Sequence, residues 1–228
     1  MYYDSTYILV LIGAVICLIA SANVKSTYNK YSRIGSSRGI TAAQAAQWIL
    51  RSAGINDVRI EHISGDLTDH YSPTEKVLRL SDTVYGSSSV AAIGVAAHEC
   101  GHAIQHQVEY KPLALRSVAV PLANIGSYLS WPLILIGILL GLGGLAKLGV
   151  LLFVFVVLFQ LITLPVEFNA SSRAMEILES GGLLAGDELS GAKKVLKAAA
   201  MTYVAALASA ILQLLRLVLL TRSSDRKR

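Results

Sequence analysis

Four stretches of this chain are nearly free of charge, and each is long enough to cross a hydrocarbon core about 30 Å thick, which takes about 20 apolar residues. They run from Tyr7 to about Val24, Val118 to about Leu142, Leu148 to Val166, and about Ala198 to Leu220. A backbone inside lipid has to satisfy its own polar groups, so each stretch is predicted to be a helix. The first lacks the basic start of a secretory signal and reads as an uncleaved anchor. The second is interrupted by Pro121, Asn124 and Pro132, and a Gly-rich run from Gly141 to Lys147 reads as a hairpin into the third. Arg216, near the end of the fourth, has the reach to snorkel to the interface. The chain therefore divides into an anchor (1–24), a soluble region (25–117), a transmembrane hairpin (118–166), a helical region (167–197), and a last span with a basic tail (198–228). With 54% hydrophobic and 15% charged residues in 228, this is the composition of a multi-pass membrane protein.

The soluble region holds His98-Glu99-Cys100-Gly101-His102, an H-E-x-x-H sequence. Residues four apart on an α-helix lie about 40° from eclipsed, one turn up, so both imidazoles face the same way. They suit one Zn²⁺ per chain, while Glu99 beside them reaches a metal-bound water without ligating the metal. A catalytic zinc needs a third protein ligand. Spans two and three make one round trip, so the chain after Val166 emerges on the motif's side, and its first acidic residue is Glu167. His₂Glu is a standard zinc set. Glu167, Ala170, Ser171 and Ala174 follow helical spacing, giving a face of small side chains that can approach the motif helix closely. His106 is a weaker third ligand, because three histidines along one helix fan away from a common point.

Three other classes are disfavoured. The net charge of +5 is dispersed around hydrophobic runs, without the aromatic–basic interleaving of a nucleic-acid binder. Cys17 and Cys100 make no disulfide framework and read as unpaired thiols. A metal transporter would need ionisable residues inside its spans, and these hold few. Ten Lys/Arg lie between Lys25 and Arg116, and Arg173, Lys193, Lys194 and Lys197 lie on the same side. Positive-inside reasoning therefore predicts a cytoplasmic motif, with the basic tail opposing.

Before the motif, Thr41 caps a helix over Ala42–Leu50 that turns Trp48 and Ile49 towards a core and stops at Gly54. Val58–Ile63 and Val77–Ser81 read as strands with a turn near Pro73 between them. The motif helix runs from about Ser88 to His106. Lys76–Ser81 is a candidate edge strand for pairing with an extended substrate. Candidates for steadying an oxyanion are His70, Tyr71, Tyr85, Arg173 and Tyr203; His62 reads as a core or surface residue.

The stretches Leu80-Ser81-Asp82, Val95 to Gln105, Pro165 to Ala174 and Ala199 to Ala206 resemble the YugP-type neutral zinc metallopeptidases of bacterial membranes, over nearly the whole chain. More distantly the chain is similar to HtpX-type membrane peptidases. The likeness implies His98, His102 and Glu167 as ligands and Glu99 as general base. Ser171 stands where the HtpX-type pattern has an Asp, so support for the ligating histidines is expected from elsewhere.

The fold expected is mainly α: about four transmembrane helices plus a small α+β zincin-like region, of gluzincin type, at the membrane surface. The function expected is hydrolysis of peptide bonds in membrane or membrane-proximal proteins at a cell membrane, with the bilayer and a protein substrate as partners. The alternatives are a non-catalytic zinc-binding regulator or scaffold, and a metal transporter. Oligomeric state is not legible.

Overall fold

The computed structural model describes residues 5–225, with side chains to residue 222. In chain order its elements are α1 (Tyr7–Tyr31), α2 (Ala42–Ser52), β1 (Arg59–Ile63), β2 (His70–Ser72), β3 (Val77–Ser81), α3 (Val90–Gln107), α4 (Lys111–Leu139), α5 (Gly143–Ser180) and α6 (Gly186–Asp225). The architecture is mainly helical with one three-stranded sheet, and α1, α4, α5 and α6 are long and apolar enough to cross a membrane. Contacts separate two units. One comprises the described residues of Met1–Ser21, Ala114–Pro165 and Met201–Arg228, the other Ala22–Leu113 and Val166–Ala200.

The first unit is built from apolar helices that keep most large side chains outward. Val118 is 70% exposed and Leu139 73%, a surface that only lipid or another apolar partner covers at no cost. Its helices meet through small residues: a Cβ placed at Gly126 would run into the carbonyl oxygen of Leu152. Ile134, Phe153, Val157 and Leu217 form its small buried cluster. The chain reverses at Gly141, whose φ of +73° suits glycine. Leu142 N–H then donates to Gly137 O at 2.7 Å. Helix resumes at Gly143, so most of the run expected as a hairpin is helical; one left-handed glycine is enough to turn the chain. The guanidinium of Arg216 stacks on the rings of Tyr7 and Trp131, at 5.1 and 5.8 Å from their centroids.

The second unit has the main buried core, made by α2, the sheet, α3 and the adjoining parts of α1, α5 and α6. Thr41 and Gln44 form the reciprocal cap that starts α2, and Ser89 Oγ accepts from Ala92 N–H to start α3. Ile49 is buried as expected, but Trp48 is 40% exposed and lies over Gly181. The sheet order is β1-β3-β2, with β1 parallel and β2 antiparallel to β3. β3 is thus the central strand, paired on both sides. The expectation that Lys76–Ser81 offers a free edge is overturned; that edge belongs to β2. Three polar residues, His70-Tyr71-Ser72, carry no alternating pattern that would mark them as a strand. They are held there by Asp69, whose carboxylate accepts from Ser81 N–H at 2.8 Å and from Ser81 Oγ at 3.0 Å.

Candidate metal centre

α3 carries His98, Glu99 and His102, and α5 carries Glu167 one turn before Ser171. What lets the two helices meet is Gly101. A Cβ there would lie 2.5 Å from the carbonyl oxygen of Ala170, so the backbones touch where any other residue would hold them apart. Ala170 and Ala174 are buried in the same contact.

That approach brings Glu167 Oε2 to 3.2 Å from His98 Nε2 and 3.6 Å from His102 Nε2. One ligand atom from each of the three residues lies within 4.8 Å of the other two. Donors at about 2.0–2.1 Å around a tetrahedral zinc are separated by about 3.3 Å, so two of the three spacings already bracket that value. Two nitrogens and a carboxylate oxygen are also the right donor types. The residues fit a zinc ion.

The imidazoles are oriented from behind. Gln105, fully buried, donates through Nε2 to Val166 O at 2.8 Å and to Asn169 Oδ1 at 3.0 Å. With its nitrogen so engaged, its Oε1 faces His102 Nδ1 at 3.0 Å, which puts the ring proton on Nδ1 and leaves the Nε2 lone pair free for a metal. Ser171 Oγ sits 3.0 Å from His98 Nδ1. The expectation that support must come from elsewhere than Ser171 is therefore corrected: a hydroxyl at that position reaches the ring, since it can accept from Nδ1–H as a carboxylate would. Gln105 escaped the sequence reading. Its only signal there is its place three residues after His102, on the same helical face.

Glu99 is 9% exposed, and its Oε2 accepts the backbone N–H of Tyr71 at 3.0 Å. Burial raises its carboxyl above the ordinary range, opposed by the His98 and His102 imidazoles. For His102, burial pulls the ring's pKa down, but its interaction with the Glu167 carboxylate, which accepts from the ring, and the nearby negative charge outweigh it, so the net shift is upward. Tyr71 OH meets His106 Nδ1 at 2.9 Å, so one residue of β2 is tied to α3 at two points seven residues apart. His106 is thus paired with a tyrosine and stands outside the cluster of ligand atoms.

The other oxyanion candidates lie on different parts of the chain. His70 Nδ1 lies 2.9 Å from Thr68 O, and the Tyr85 ring packs against His62 at 5.2 Å. Arg173 Nε donates to Asn169 Oδ1 at 2.9 Å and so braces the Gln105 network. Tyr203 belongs to the apolar unit. Cys100, fully buried with its Sγ 3.7 Å from Ala46 O, is a packed thiol.

A family profile described as "Putative neutral zinc metallopeptidase" matches residues 6–222. The chain belongs to that family. Among curated proteins, the "Putative membrane protease YugP" of Bacillus subtilis (strain 168) is 50% identical over 201 residues, covering 88% of this chain and 89% of that protein. No solved structure matches the chain significantly. The family's zinc and the His98–His102–Glu167 cluster agree in donor chemistry.

Proposed function

We propose that the chain is a zinc endopeptidase of the membrane, with a gluzincin-like site on a small α+β unit, acting on membrane or membrane-proximal proteins. His98, His102 and Glu167 hold the ion, and bound Zn²⁺ supplies a Lewis acid that polarises a peptide carbonyl and acidifies water. Glu99 takes the proton of the attacking water and delivers it to the leaving amine. The Tyr71 amide holds one carboxylate oxygen of Glu99 and leaves the other for proton transfer. Gln105 and Ser171 keep both imidazoles facing the ion. Tyr71 is the favoured group for steadying the oxyanion. The basic residues flanking the spans favour a cytoplasmic site.

The observation that carries this reading is a buried carboxylate adjacent to, but outside, a three-residue zinc set. In a regulator or transporter that group would serve only to hold the Tyr71 amide. The test is Glu99→Gln in the full chain, assayed on a membrane-protein substrate. Zinc content should stay at one per chain while turnover falls about 10²–10⁴-fold. Undiminished cleavage by the variant, or no cleavage by either protein across a membrane proteome, removes the peptidase reading.

A further inference from the structure

α1 does not end where its apolar stretch does. The helix continues past Val24 to Tyr31, and this last part has two different faces. Tyr28 and Tyr31 are buried: Tyr28 OH donates to Thr83 O at 3.1 Å, and the Tyr31 ring lies against Gly191. Those two anchors fix which side looks outward. On that side Lys25, Ser26, Asn29, Lys30 and Arg33, with Ala22, line an open groove of about 600 Å³.

The groove is cationic and uncompensated. None of Lys25, Lys30 and Arg33 has a carboxylate within 4.0 Å among the described residues. Lys30 reaches back over its own helix, its Nζ 5.5 Å from the Tyr31 ring centroid. At 1.5 Å rise per residue, Lys25 to Lys30 span about 2–9 Å beyond Val24. The headgroup layer of one leaflet is about 5–8 Å thick, so these side chains reach through it and slightly past.

We infer that this groove is a binding site for the headgroup of an anionic phospholipid. Lys25, Lys30 and Arg33 neutralise the phosphate and any further negative charge, while Ser26 and Asn29 offer hydrogen bonds to its esters and hydroxyls. Zwitterionic lipid, which carries its own cation, gains little there. The site is independent of zinc and of peptide cleavage.

The full chain, purified in neutral detergent with equal phosphatidylglycerol and phosphatidylcholine, is read by native mass spectrometry for the lipid it retains. The wild-type chain should retain phosphatidylglycerol preferentially, and K25Q/K30Q/R33Q should lose that preference by about tenfold or more. K25R/K30R should keep it, as should K111Q/R116Q/K147Q, which removes as much charge elsewhere. The site is overturned if the groove variant keeps the preference, or if the control variant loses it equally. Full displacement by inorganic phosphate at constant ionic strength overturns the lipid assignment.

Discussion

Two glycines, one in each unit, do the same steric job with different consequences. Gly126 lets α4 reach a backbone carbonyl of α5 in the apolar unit, and Gly101 lets α3 reach the Ala170 carbonyl in the other. Around Gly126 the neighbours are aliphatic, and a small displacement changes only packing. Around Gly101 the neighbours include three ligand atoms whose spacing has to match one ion. Close approach in one unit serves cohesion, and in the other it sets the spacing of the donor atoms.

That contrast can be broken. Gly101→Ala should lower zinc affinity at least about 100-fold, because the carbonyl it meets cannot move without carrying Glu167 and Ser171 away. Gly126→Ala should cost about 1–3 kcal/mol of stability and leave zinc stoichiometry unchanged. Calorimetry and metal analysis of the two purified variants check both; an equal loss of zinc would show that the contacts are not different in kind.

A smaller effect is expected one layer out. Gln105→Leu should reduce zinc affinity or turnover about 10–100-fold, since it frees the His102 ring and breaks the tie between α3 and the Val166 carbonyl. Ser171→Ala should do the same more weakly, as it removes a single neutral partner of His98. Competition against a chromophoric chelator ranks the two, and an affinity unchanged in both would deny them any orienting part. The smallest change in zinc affinity is expected for Tyr71→Phe: zinc binding intact and kcat reduced severalfold to about 100-fold, the larger value if its hydroxyl steadies the oxyanion directly. His106→Ala should show only the orienting share. Equal, near-wild-type kcat in both would leave the Tyr71–His106 pair a packing contact.

Where the sequence was readable, the signal was periodic or paired. The apolar spans, the Thr41 cap, the motif helix and the placement of Glu167 near the two imidazoles follow from spacing and from counting membrane crossings. What escaped was set by tertiary partners. β2 is three polar residues held by Asp69 and the Glu99 carboxylate, both outside any local pattern. Trp48 is 40% exposed although its helix spacing points inward; the covered part of its ring lies over Gly181, a contact made by a residue far along the chain. The part played by Ser171 is hidden for a chemical reason. A search for a carboxylate overlooks a hydroxyl that presents its oxygen to the same ring nitrogen.

Among the described residues, two helices supply the three candidate ligands and the partners of both imidazoles. α3 contributes both imidazoles, Glu99 and Gln105; α5 contributes Glu167 and, one turn on, Ser171. Such a construction has a single seam, and no half-built arrangement retains all three donors. An ion seated there rivets together segments that are remote along the chain, and its departure loosens the joint that had shaped its seat.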